Sequence, residues 1–197
     1  MSSREEILEA VLKNQPLSTP LPDISMFRGN ESNIIRKYID VFTSIGGTAF
    51  VVDSLAAIES LIRQQFDTSK RLITNLPELA NSYEMISPLV DPHGYEDAEL
   101  AVISAHFAVA ENGAVWITEA LMGQRIIPYI CQHLAVIITA ETIVPTLHEA
   151  YEIIGTGDYG FGGFIGGPSK TADIEQALVL GAHGPLSMTV FIINDSL

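Results

Sequence analysis

The sequence has a single cysteine, Cys131, among its 197 residues. One thiol makes no internal disulfide, no four-cysteine zinc site and no cysteine-ligated iron–sulfur cluster. A cluster working with this protein therefore belongs to another chain. Positive charge is scarce as well: Lys and Arg number 10 against 24 Asp and Glu, a formal net charge of -14. Such a chain repels phosphate backbones, which argues against nucleic acid and anionic membrane surfaces as partners. No apolar run suggests a membrane span. The uncharged stretch Ile126 to Ala140 has fifteen residues and is broken by Pro128, Gln132 and His133, whereas a span needs about 20 apolar residues. The N-terminus is charged and lacks the apolar core of a signal peptide, so the expectation is a soluble, cytoplasmic protein with no membrane insertion. His93, His106, His133 and His148 show no metal-ligand spacing with one another or with Cys131, so no metal and no cofactor in this chain is expected.

What is present is an alternation of strands and helices. Ser3, Glu6 and the apolar stripe Ile7, Leu8, Val11 and Leu12 predict a first helix. It runs into a stretch with Pro16, Pro20 and Pro22 that suits neither helix nor central strand. Residues 1–29 thus read as an arm that docks on the remaining domain, 30–197, or on a second copy in a homo-oligomer. A helix over Ser32–Ile45 is stopped by Gly46-Gly47. Strands follow at Thr48–Val52, Arg71–Thr74, Leu100–Ser104, Leu134–Thr139, Phe164-Ile165 and Met188–Ile193, with helices at Ser54–Phe66, Ile143–Ile154 and Ala172–Leu180. Asn112-Gly113 between His106–Glu111 and Ala114–Thr118 signals a hairpin. The fold class is α/β, an α/β/α sandwich on a mixed sheet. Residues 77–97 give no clear element. Cys131 and Trp116 read as core.

Two segments carry candidate chemistry. Gly155-Thr-Gly-Asp-Tyr-Gly160 spells G-x-G-x-x-G, but a helix precedes it and more glycines follow, so the dinucleotide context fails. Beyond that loop come Gly167-Pro168-Ser169-Lys170-Thr171-Ala172-Asp173 and the predicted helix. Glycines, hydroxyls and a lysine at a helix start are how a chain builds an anion pocket. Plain capping by Ser169 or Thr171 is the competing explanation. The charge map bears on the choice: residues 101–197 hold nine acids and two bases, Arg125 and Lys170. Placing one of those bases where the helix dipole disfavours it points to a site. His183, before Gly184-Pro185, is placed to reach the same anion or to bond its own loop.

Gly167 to Glu175, followed by Gly181-Ala-His183-Gly184-Pro185, resembles the signature of the lactate-utilization (LUD) domain family. The resemblance in length and element order spans the chain, while the specific motif covers about Gly167 to Pro185. It implies a fold like that of the sugar-phosphate isomerases and CoA-transferases. It also implies a place in a multi-subunit, NAD-independent oxidation of L-lactate to pyruvate whose iron–sulfur clusters lie on partner subunits.

Ala110-Glu111-Asn112-Gly113 departs from the Glu-Thr-Gly usual in that family, and it resembles the Ser-Glu-Asn-Gly of class I CoA-transferases, whose glutamate attacks an acyl-CoA. A carboxylate serves as a nucleophile where the site aligns it and excludes water; the plain alternative is a type I′ turn ending in solvent. Three functions are therefore expected to compete. The first is a non-cluster subunit with a pocket for a small carboxylate or phosphate-bearing ligand at Ser169, Lys170, Thr171 and Asp173, with Asn112, Gly113 and His183 nearby. The second is an acyl- or CoA-transferase using Glu111, and the third a ligand-sensing regulator without turnover.

Overall fold

The computed structural model describes residues 2–29, 32–171 and 179–194. Helices are α1 (Ser3–Lys13), α2 (Ile34–Ser44), α3 (Leu55–Gln65), α4 (Glu119–Met122), α5 (Ile127–Ile130) and α6 (Leu147–Ile154). Strands β1 (Thr48–Val52), β2 (Leu72–Thr74), β3 (Glu84–Met85), β4 (Leu100–Ser104), β7 (His133–Thr139) and β12 (Ser187–Ile193) form one six-stranded sheet, ordered β1-β12-β7-β4-β2-β3. Each neighbouring pair in it is parallel. A second sheet contains β5 (Phe107–Val109), β6 (Ala114–Thr118), β8 (Ile143–Val144) and β9 (Gly162–Ile165), in the order β8-β5-β6-β9. The expected α/β class holds, but the single mixed sheet resolves into two, and the antiparallel hairpin belongs to the second.

Side chains alternating along the central strands explain the layering. Leu100 and Val102 of β4, with Ala135 and Ile137 of β7, pack under Ile58 and Ile62 of α3. Ala101 and Ile103, with Leu134, Val136 and Ile138, face the other way, onto Tyr38 and Phe42 of α2 and onto Ala108, Val115 and Ile117 of the second sheet. Both faces of the parallel sheet are thus covered, which is why β4 and β7 read as unbroken apolar runs. Each fully buried Ile, Leu or Val contributes about 1.5–3 kcal/mol. The outer face of the second sheet, Phe107, Val109 and Trp116, packs with Ala150 of α6.

Several boundaries differ from expectation. Ser2 and Glu5, rather than Ser3 and Glu6, form the capping box of α1, and none of α1's residues is buried. The arm touches the domain through its last residues: Phe27 stacks on His148 at 5.2 Å and Arg28 pairs with Glu152 at 3.6 Å. The helix expected over Ile143–Ile154 begins only at Leu147, because Pro145 and the Thr146–Glu149 capping box set its start. Residues 77–97 hold two short 3₁₀ turns around β3. Most of the helix expected at Ala172–Leu180 lies outside the described residues. Its last two residues, Val179–Leu180 (β11), pair antiparallel with Lys170–Thr171 (β10).

Arg71 ties the edge of the main sheet together. It donates to both Glu84 oxygens at 2.9 and 2.7 Å and to Asp97 at 2.6 Å, and its guanidinium lies over the Tyr95 ring. That pairing holds the Glu84 carboxyl below its ordinary range. A depressed carboxyl stabilises the native state at neutral pH and loses its contribution as pH falls through the depressed value. Arg71→Ala should therefore lower the melting temperature at pH 7 more than at pH 3. Equal losses at both pH values in thermal melts would count against this link. Glu84 is half exposed, so solvent screening keeps the pH-dependent part small.

Candidate functional site

The turn carrying Glu111, Asn112 and Gly113 is a four-residue connection, since Val109 pairs with Ala114. It is not the two-residue type I′ turn expected of Asn-Gly. The Gly113 amide donates to the Val109 carbonyl at 2.9 Å, and Asn112 Oδ1 accepts from the Ala114 amide at 3.0 Å. Gly113 has φ +72, and a Cβ there would stand 3.0 Å from the Phe42 backbone. Only glycine fits such a left-handed, closely packed position. Glu111 turns to another element: its carboxylate accepts from the Leu147 amide at 2.8 Å, at the start of α6. An anion there complements the positive end of the helix, so Glu111 has a positioning role within the fold.

Lys170 also has an intrachain partner. Its ammonium donates to the carbonyl of Ile45, the residue that ends α2. Sequence reasoning put this cation at a helix N-terminus, against the dipole. In the structure it sits at a helix C-terminus, where the dipole favours it. Ser169 is held through its backbone, its amide donating to Pro185 at 2.9 Å and its carbonyl accepting from Gly181 at 3.1 Å. The loop bearing His183 therefore lies beside Ser169. Gly113 and Gly167 both pack against Ile45. The structure thus gathers Asn112, Gly113, Ser169 and Lys170 at the end of α2, with exposed His183 on the flanking loop, and sends Glu111 elsewhere. Thr171 lies in β10, and Asp173 lies outside the described residues.

Sequence reasoning missed a cleft of about 790 Å³, within the range usual for small-molecule sites. Its floor is Phe107, Trp116 and Thr118, side by side on the outer face of the second sheet. The loop Gly157–Gly160, whose glycines had no assigned role, forms one wall with Ile153 and Ile154. His106 and Glu141 line it from just beyond the carboxyl ends of β4 and β7, the side on which open α/β sheets receive ligands. Nε2 of His106 lies 2.8 Å from Thr118 Oγ1, and partial burial holds the imidazole below its ordinary value. Tyr159 meets Trp116 edge-to-face at 5.5 Å, and Gly162 leaves room for the indole where a Cβ would collide with it. Arg125, beside the rim, is engaged by Glu119 at 2.6 Å and stacks over Phe161.

Among the described residues no group of His, Cys, Asp and Glu is placed to hold a metal ion, and no helix is long and apolar enough to cross a membrane. Cys131 is buried, as expected, and burial pushes its thiol up to about 12.

The LUD domain family model matches residues 93–193. Lactate utilization protein C of Oceanobacillus iheyensis is 30% identical over 201 residues, spanning 88% of this chain and 85% of that one. The proteins of the same name from Bacillus pumilus and Anoxybacillus flavithermus are 30% and 34% identical over 106 and 101 residues. Those alignments span 51% of this chain but only 44% and 46% of the relatives, less than half their length. In structure, a DUF162 family protein from Deinococcus radiodurans superposes with a TM-score of 0.62 at 15% identity, covering 84% of this chain and 99% of that one; at that identity the likeness speaks for the fold alone. The family match over half the chain and the near full-length relative agree, and this chain belongs to the LUD domain family.

Proposed function

We propose that this chain is a non-cluster subunit of a cytoplasmic lactate-utilization system that oxidises L-lactate to pyruvate without NAD. The observation that carries the reading is the alignment over 88% of the chain with a relative named lactate utilization protein C. Oxidation of the hydroxy acid releases two electrons and two protons, and the electrons need a carrier. A single, buried cysteine cannot supply the several thiolates that hold an iron–sulfur cluster. We therefore assign the electron-accepting iron–sulfur clusters to partner chains. Isolation of the tagged chain from its native cell tests this reading. Iron–sulfur proteins should co-purify in fixed ratio, and recovery of the chain free of them would overturn it.

Within the chain, the Lys170 neighbourhood is our candidate for holding a small carboxylate. An ammonium has three donors, and the Ile45 carbonyl uses one. Ser169, Thr171, Asn112, Gly113 and His183 would surround the anion. Lys170→Ala should then do two things. It should weaken lactate or pyruvate binding by on the order of 10–100-fold through loss of a charge-assisted hydrogen bond. It should also lower the melting temperature by about 1–3 °C, since a cation leaves the end of α2. Calorimetric titration and melting curves read the two effects separately. A drop in melting temperature with unchanged binding would leave Lys170 with the structural role alone.

A further inference from the structure

We propose that the cleft between the second sheet and the Gly157–Gly160 loop is a binding site for a planar, uncharged ring compound. The proposal stands independently of the lactate reading, because the cleft is separate from the Lys170 neighbourhood. Its shape and chemistry come from different elements that converge on one hollow. Phe107 and Trp116 supply an aromatic floor, Val144 and Ile154 an aliphatic side, and Tyr159, 41% exposed, an aromatic wall. Flat rings gain most from such surroundings, through area burial and edge or offset stacking. At the inner edge, the His106–Thr118 pair offers one donor and one acceptor to a heteroatom on the ring. Gly160 leaves room for the Glu119 carboxylate, and Gly157 lets the loop pack on the Ile154 carbonyl and the Tyr159 ring that forms the wall.

Charge decides against an anion. Glu119, Glu141 and Asp158 line the cleft, and among the described residues no Lys or Arg does. The Arg125 guanidinium, close to Gly160, is already paired with Glu119. Partial burial of the His106 imidazole disfavours its charged form, so it offers an anion little help. A phosphate or carboxylate entering here would meet like charge without a counter-ion, whereas an uncharged ring meets no such penalty.

The protein carries its own reporter, since Trp116 is its single tryptophan. Titration of the full chain with adenosine, lumichrome or 1,4-naphthoquinone, followed by Trp116 fluorescence and confirmed calorimetrically, should give saturable binding for at least one of these rings. Where adenosine binds, AMP should bind about tenfold more weakly at low salt, and the gap should narrow as salt rises. Glu141→Lys should close that gap by supplying a counter-charge. Tyr159→Ala should weaken ring binding by about tenfold, while Tyr159→Phe, which keeps the aromatic wall, should not. Tyr159 is exposed on a loop, so these variants leave the core intact. Absence of saturable binding by all three rings, AMP binding as tightly as adenosine, or indifference to Tyr159→Ala would overturn the proposal.

Discussion

Replacing Phe42 with alanine should lower the unfolding free energy by about 3–5 kcal/mol, the cost of emptying a fully buried aromatic position. Phe42 is 0% exposed and stacks on Tyr38 with ring centroids 5.6 Å apart. Its ring fills the space that Gly47 leaves, and its backbone lies against Gly113. The ring thus packs the end of α2 against the start of β1 and the main-sheet core, while the backbone of the same residue backs the turn that bears Asn112. At about 2–4 °C per kcal/mol for a chain of this size, melting should fall by on the order of 10 °C. Phe42→Leu, which keeps most of the volume, should cost far less. Because Lys170 is held by the end of the same helix, Phe42→Ala should also loosen any carboxylate bound there. Chemical denaturation of the three proteins checks the order; a loss under about 1 kcal/mol would show that the position collapses or is not the packing centre described.

Much of this fold was legible in the sequence because its main sheet is parallel and covered on both faces. Strands such as Leu100–Ser104 and Leu134–Thr139 must then be apolar on both sides, and they read as continuous runs. The hairpin was legible from Asn112-Gly113, but not its membership of a second sheet, which depends on long-range pairing of β5 with β8 and β6 with β9. Lys170 was singled out as an odd charge, yet its partner is the Ile45 carbonyl, 125 positions away in sequence. The helix expected after Lys170 falls mostly outside the described residues, and the contact to the end of α2 could not be read from local sequence. Glu111 shows the same limit, since its acceptor role at Leu147 needs α6 to fold back beside the hairpin. The cleft was invisible for a related reason. His106, Trp116, Glu141 and Tyr159 come from four separate segments, and packing alone brings them together. The reading of Trp116 as core was correct, and it was incomplete: the same indole that is 8% exposed forms the cleft floor.

On the proposed reading, cells lacking this chain should lose growth on L-lactate while keeping growth on pyruvate. The effect should be near complete if the chain is the obligatory subunit proposed above. Phe42→Ala should give an intermediate loss at elevated temperature, in line with its reduced stability. The most direct measurement is L-lactate-dependent reduction of an artificial electron acceptor in extracts of cells lacking the chain. The account predicts that reduction falls to background and returns when the purified chain is added back, while the purified chain alone gives none. Undiminished reduction without the chain, or lactate turnover by the isolated chain, would contradict it.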